Sequence, residues 1–348
     1  MSSKPRLYLD HAATTPMVAA ARAAMAEGMQ RWANPSSPHS EGRAARAALE
    51  HARQRIAASL GWDGEVIFTS GASEAIAIAL RGKHQVTVSA AEHDAVLSAA
   101  KEAHILPVDA GGLVDPAVIT GKGLFAVQSV NNETGVIQPL AAIAAAVRAS
   151  GGLFFADCSQ SAGKLPLPDA DMIAVSAHKL GGPPGIGALL TRNLGWLSPS
   201  GGQEQGYRRG TENLPAILAF AAALEQGFDW IERASELRAM LDLAITEADG
   251  VVVARDSERL PTIASYHMPG VSASSQLIGF DMEGAAVSAG SACSSGTLKM
   301  SHVLSAMGWK VKEASEVIRV SFGPDTSAAD ITHFAEIWRR IASRAAAA

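Results

Sequence analysis

Lys179 stands in SAHKLGG at 176–182, between the apolar run MIAVS and the glycine-rich PPGIG at 183–187. An amine at a strand end, beside backbone free to bend, can reach an aldehyde, although a lone loop lysine is more often just solvated. Upstream by 22 positions, LFFAD at 153–157 ends in Asp157. Open α/β sheets put ligand groups at the carboxyl ends of their strands, and a carboxylate there can hold a protonated ring nitrogen. The plain alternative for Asp157 is to cap the next turn. FTSGASEA at 68–75 reads as a strand followed by Ser-Gly-Ser opening a helix, whose free amides suit a phosphate. Glu74 in its first turn also fits ordinary capping. Each signal alone is weak; amine, carboxylate and anion cradle in this order point to a bound cofactor with an aldehyde, a basic ring and a phosphate.

The chain has two cysteines, too few for a disulfide framework or a four-cysteine zinc site, so each is read as a single thiol and no metal is expected. Cys293 lies among small residues in SAGSACSSG at 288–296, a composition that suits a mobile, exposed loop and a thiolate nucleophile. Cys158, between Asp157 and Ser159 at the end of an apolar strand, reads as a packed, inert thiol, with a reactive role left open.

These residues need a scaffold. Runs beginning at VIFT (66), QVTVS (85), GLFAVQSV (123), LFFAD (153), MIAVS (172) and GALLT (187) alternate with alanine-rich helical stretches. That rhythm predicts a mostly parallel, doubly wound sheet whose strands, covered on both faces, are continuously apolar. Helices are expected at Ser73 to Leu80, Asp94 to Glu102 and Leu140 to Ser150. One or two long helices should fill Asn213 to Ala248, and an amphipathic one should lie near Asp330 to Ala345. The 348 residues accommodate a large domain over 16–232 and a smaller one made of 1–15 and 233–348. With 48% apolar and 18% charged residues the composition is globular, and a net charge of −5 creates no global field to gather nucleic acid or an anionic membrane. MSSKPRLYLD lacks a signal-peptide core and no apolar run reaches membrane-span length, so a cytoplasmic location is the default expectation.

Ten motifs in order carry a family resemblance: YLDHAATTP (8), NPSSPHSEGR (34), FTSGASEA (68), EHDAV (92), NNETGVIQP (131), ADCSQSAGK (156), SAHK (176), RRGTEN (208), SAGSACSSG (288) and IRVSFG (318). With them the sequence resembles the class V, fold-type I pyridoxal-5'-phosphate enzymes, and in detail the cysteine desulfurases. The resemblance implies an α/β fold, with a large domain built on a mostly parallel sheet flanked by helices and a smaller C-terminal α/β domain. It implies that Lys179 bears the cofactor, His93 stacks on its ring, Asp157 binds the ring nitrogen and Gln160 its phenolic oxygen. Ala72, Ser73, Ser176 and His178 would hold the phosphate, with Thr211 reaching it from the neighbouring subunit of a homodimer. Asn132, beside the cofactor, and Arg319 would bind the substrate carboxylate, and Asn34 would approach the substrate. Taken singly, His93 also fits a helix start, Gln160 and Asn132 fit turns, and Arg319 fits a surface ion pair. No chemistry is assigned to YLDHAATTP, which reads as a structural turn near the site.

The activity implied is conversion of L-cysteine to L-alanine. Lys179 or His93 would move protons, and Cys293 would take the sulfur as a persulfide for an acceptor protein in iron–sulfur or thiolation chemistry. A selenocysteine lyase shares this logic; a class V aminotransferase would keep Lys179 and Asp157 but have no use for Cys293. A catalytically retired partner subunit would not need all three. Where relatives carry glycine, the SAHK motif has Ala177, and Gly181 and Pro184 stand where many carry an aromatic residue and a lysine.

Overall fold

The computed structural model describes residues 6–81, 85–290 and 300–346. From the N-terminus come β1 (Leu7–Tyr8), α1 (Ala19–Gly28), α2 (Ser40–Leu60), β2 (Glu65–Thr69), α3 (Ala72–Leu80), β3 (Val86–Ser89), α4 (Asp94–Ala99) and β4 (His104–Leu106). Next are β5 (Leu124–Ala126), α5 (Leu140–Ser150), β6 (Leu153–Asp157), β7 (Met172–Ser176), β8 (Gly187–Thr191), α6 (Leu214–Glu225) and α7 (Trp230–Thr246). The chain continues through β9 (Val251–Val252), β10 (Ile263–His267), α8 (Ala273–Met282), β11 (Ala285–Ala286), α9 (His302–Ala306), α10 (Val311–Ala314), β12 (Val317–Ser321) and α11 (Ala328–Ala346).

The large sheet has seven strands in the order β2-β8-β7-β6-β5-β3-β4. It is parallel from β7 across to β4, while β8 runs antiparallel to both β2 and β7. The cause is local. Residues 177–186 between β7 and β8 hold a single 3-10 turn, too little chain for the helical crossover a parallel return requires. Every residue of β7 and β8 is buried. Alternate side chains feed two cores: Phe154 and Ala156 pack with α2, α5 and α6 on one face, whereas Phe155 packs with α3 and Val96 of α4 on the other. All six expected strands form; the short edge strand β4, two of whose three residues are exposed, was not anticipated.

Helix ends follow from sequence. His39 accepts the Gly42 amide at 3.2 Å to start α2, which stops at Gly61 in the left-handed region at φ 64°. Asn213 accepts the Ala216 amide at the start of α6, with a proline in its first turn. The stretch expected as one or two long helices is two, bent by 72° where Gly227 adopts φ 73°. Among the described residues no single helix is long and apolar enough to cross a membrane.

A further core joins Leu9 to α7, α8, α11 and the antiparallel sheet β12-β10-β9. β1 pairs in parallel with β11, so the first residues are stitched to the C-terminal part. The principal cavity opens between this core and the carboxyl ends of β6 and β7.

Candidate active site

The cavity measures about 540 Å³. The close of β6 brings Asp157, and the turn after β7 brings His178 and Lys179. The starts of α3 and α4 bring Ala72, Ser73 and His93, and β12 brings Arg319. Asn132, Gln160 and Ser176 line it too. Ten residues expected from the sequence at positions spread over 247 places, from 72 to 319, thus share one space.

At one end lies the anion cradle. Gly187 opens β8 so close to Gly71 that a Cβ there would sit 2.8 Å from that glycine's backbone, and α3 therefore starts flush against the sheet. The first amides of a helix have no partner within it, and Ala72 and Ser73 hold that place, at the positive end of the helix dipole. Glu74 in the same turn accepts from the Ser70 amide and pairs with Arg208 Nε at 3.1 Å. Burial works to raise the Glu74 pKa, but these bonds outweigh it and hold the carboxyl below its ordinary value. His178 Nδ1 lies 3.2 Å from the Thr14 hydroxyl, and burial, then the charge of Lys179, push this imidazole down to about 4. It is neutral at physiological pH.

In the middle, Asp157 is buried, and its Oδ1 accepts the Ser159 amide at 2.9 Å and the Ser159 hydroxyl at 2.5 Å. Oδ2 takes no part in these two bonds. His93 caps α4: its Nδ1 accepts the Ala95 amide at 3.1 Å, which puts the ring proton on Nε2. Burial, then Lys179, lower its pKa. His93 is thus a helix-start histidine that also lines the cavity. Gln160 spends one N–H on the Ala12 carbonyl at 2.9 Å, while its Oε1 is buried without a partner.

At the other end Arg319, 4% exposed, donates from Nη1 to the Asn132 carbonyl at 3.0 Å and from Nη2 to Asp10 at 2.8 Å. Its Nε is buried and unsatisfied. The edge formed by Nε and the second Nη2 hydrogen remains for a carboxylate. Ser288, Ala289 and Gly290 complete this wall, and the Ser288 and Arg319 backbones bond reciprocally at 3.2 and 2.7 Å.

Of the remaining expected residues, one cannot be placed and two do not line the cavity. Cys293 lies outside the described residues, three positions beyond Gly290. Asn34 is exposed, its Oδ1 accepting the Ser36 amide at 2.9 Å. Thr211 is exposed as well, and neither residue lines the cavity of its own chain. Cys158 is fully buried, and burial pushes its thiol up to about 12.

Sequence reasoning missed four polar residues. Asp10, in the motif given no chemistry, pairs with Arg319. Glu92 is fully buried; its Oε1 accepts the Gln128 amide at 2.7 Å, its Oε2 has no partner, and burial lifts its pKa well above the ordinary value. Glu133 is buried and raised by the same cause, and accepts the Ser301 hydroxyl at 2.6 Å. Lys164, in ADCSQSAGK, stands near Lys179. All four lie inside motifs quoted from the sequence, where Glu92 precedes His93 and Glu133 follows Asn132, but no role was assigned to them there.

The class-V aminotransferase family profile matches residues 7–334. A cysteine desulfurase IscS of Dictyoglomus turgidum is 36% identical, covering 97% of this chain and 95% of that protein. A cysteine desulfurase IscS 1 of Archaeoglobus fulgidus is also 36% identical, over 95% of each. Among solved structures, a NifS-like protein from Rickettsia africae superposes with a TM-score of 0.86 at 30% identity, covering 97% of this chain and 99% of that one. SspA in complex with cysteine superposes with a TM-score of 0.80 at 30% identity, over 92% of this chain and all of that one.

Proposed function

The chain belongs to the class-V aminotransferase family, and from that premise we propose that it is a pyridoxal-phosphate-dependent cysteine desulfurase that turns L-cysteine into L-alanine and takes up the sulfur on Cys293. The observation that carries this reading is the single cavity in which Lys179, Asp157, His93, Arg319 and the start of α3 converge. The residues present fit the cofactor. The α3 amides, Ser73, Ser176 and neutral His178 match a phosphate, Asp157 Oδ2 matches a protonated ring nitrogen, and the second N–H of Gln160 matches a phenolic oxygen. The buried, unpartnered Gln160 Oε1 and Arg319 Nε mark polar groups that a bound molecule would satisfy.

Bound there, pyridoxal phosphate supplies an aldehyde for amines and a ring that accepts the electron pair of bonds at the α-carbon. Arg319 and Asn132 orient the amino acid by its carboxylate. Asp157, steadied by Ser159, keeps the ring nitrogen protonated. Lys179 Nζ takes the α-proton and later returns one. Neutral His93 carries its proton on Nε2 and lines the cavity beside the ring, where it acts as a donor, since accepting a proton at Nδ1 would require releasing the Ala95 amide. The Cys293 thiolate attacks the substrate sulfur: a sulfur–sulfur bond forms, the carbon–sulfur bond breaks with its electrons going to the β-carbon, and protonation there leaves alanine. Gly290 lines the cavity three positions before Cys293, at most about 11 Å of extended chain away. An acceptor protein then removes the persulfide sulfur.

The working unit in this reading is a homodimer in which Thr211 serves the neighbouring site. Support comes from the exposure of Thr211 and from two exposed apolar side chains, Met29 at 62% and Trp32 at 79%, close to the α6 start. The test of the activity is sulfide and alanine release from L-cysteine with added reductant, wild type against Cys293→Ser. Equal amounts of both products from wild type, and a variant that keeps the cofactor's visible absorbance but releases no sulfide, are expected. A variant with undiminished sulfide release removes Cys293 from the mechanism.

A further inference from the structure

Asp10 reaches the main cavity from the opposite end of the chain, 309 positions before Arg319. Its backbone is firmly held. The carbonyl accepts the Ala13 amide at 3.1 Å, the Thr14 amide at 3.3 Å and the Tyr8 hydroxyl at 3.1 Å, and Asp10 bridges to Ser321, two residues beyond Arg319 on β12. Neighbouring bonds lock this register: the Ser321 amide donates to the Leu9 carbonyl and the Ser321 hydroxyl accepts the Ala12 amide, both at 2.9 Å. A side chain on so fixed a backbone can aim a carboxylate, and Oδ1 accepts from Arg319 Nη2 at 2.8 Å. The guanidinium is gripped at two nitrogens, by Asp10 on Nη2 and by the Asn132 carbonyl on Nη1 at 3.0 Å, while Nε stays buried and unpartnered. The reaction as derived above gives Asp10 no part.

We propose that Asp10 is a positioning residue for substrate recognition: it holds the Arg319 guanidinium so that the edge formed by Nε and the second Nη2 hydrogen stays turned to the substrate carboxylate. A guanidinium free to turn gives up that freedom when it binds, whereas one already gripped does not. The charge of the same carboxylate works the other way. Asp10 offsets part of the positive charge that draws the substrate, so its removal strengthens the attraction while loosening the aim. Two substitutions of equal charge separate these effects. Asn keeps a carbonyl oxygen in place of Oδ1, and Ala leaves no acceptor. Without an acceptor at position 10, Arg319 is free to swing toward Glu133, the buried carboxyl that feels its charge.

The inference rests on Arg319 being the residue that binds the substrate carboxylate, and the experiment keeps the two apart. The probe is L-alanine, the product, which shares the amino group and carboxylate of the substrate and has no sulfur to lose. Its dissociation constant is read from the visible absorbance of the cofactor-loaded protein, in wild type, Asp10→Ala, Asp10→Asn, Arg319→Ala and the two double variants. Asp10→Ala should bind L-alanine roughly tenfold more weakly than Asp10→Asn, the size expected for a hydrogen bond to a charged group. In the Arg319→Ala background the two Asp10 substitutions should give the same constant, because the group they act through is gone. Equal constants for Asp10→Ala and Asp10→Asn with Arg319 in place overturn the inference. So does a gap that persists without Arg319, which marks a structural effect of the N-terminal segment. An Arg319→Ala variant that binds L-alanine as wild type does removes the carboxylate assignment, and the inference with it.

Discussion

His11 shows how much a single side chain in an unassigned motif can carry. Its ring meets Tyr8 edge-on at 4.9 Å, a Cβ on Gly323 would collide with it, and its Nδ1 is buried without a partner. Burial first, then Lys164, lowers its pKa from 6.5 to about 4. Between those values the unfolded chain binds a proton that the folded chain refuses, so folding loses stability as the solution is acidified. The contribution is fully present above about pH 6.5 and is lost as the pH falls through about 4, with an upper limit of about 3 kcal/mol. His11→Gln should therefore flatten the acid limb of a plot of urea midpoint against pH over this window; an acid limb as steep as that of wild type would remove His11 from the account. Lys179, Asp157 and Arg319 were legible in the sequence because each sits in a distinctive motif. Asp10 and His11 were not, since their partners Arg319 and Gly323 stand more than 300 positions away, and it takes the pairing of β1 with β11 and the bridge from Asp10 to Ser321 to bring the two ends of the chain together.

Between elements, the decisive contact is made by the turn after β5. Glu133 hangs from it, held by the Ser265 hydroxyl on its carbonyl at 2.9 Å and by the Asn131 side chain on its amide at 2.9 Å. The carboxyl oxygen Oε2 accepts the Ser301 hydroxyl at the start of α9, and the same oxygen lies only 2.0 Å from where a Gly290 Cβ would be. One oxygen thus abuts the chain just before and just after residues 291–299, which contain Cys293. Gly290→Ala should cost about 1–3 kcal/mol through overpacking. In a Glu133→Ala background that cost should shrink, because the obstructing atom is gone, and a double-mutant cycle of urea unfolding reads the coupling directly. Additive losses would mean that the Gly290 and Glu133 positions do not meet. At this scale the strands and their mostly parallel direction were readable from continuous apolar runs, but the reversal of β8 was not, because its apolar run reads like the others; the shortness of the 177–186 connection held that information. β4, three residues long and mostly exposed, left no apolar run to read.

At the scale of the whole molecule, the question is which chain completes which site. The RRGTEN segment is anchored within its own chain: Arg208 pairs with Glu74 in the first turn of α3, and Glu204 just before it accepts from Arg53 at 2.7 Å and from the Phe68 amide at 2.8 Å. Thr211 nonetheless stays exposed and out of its own cavity wall. Four positions on, Pro215 packs against Gly28 so closely that a Cβ on that glycine would be 2.8 Å from its Cα, which sets the end of α1 against the start of α6. Met29 and Trp32 follow immediately, with most of their surface in solvent, an exposure that burial against another copy would relieve. If the second copy receives Thr211, damage in the two subunits can be complementary. Lys179→Ala disables only the site of its own subunit, and Thr211→Asp, by placing a carboxylate near the phosphate, disables only the partner's site. Each variant alone should be close to inactive. Hybrids assembled by refolding the two together should contain one site with an intact lysine facing an intact threonine, and so should regain up to half of the wild-type sulfide release per dimer. If Thr211 works in its own subunit, the hybrid has no site with both residues, and mixing restores nothing.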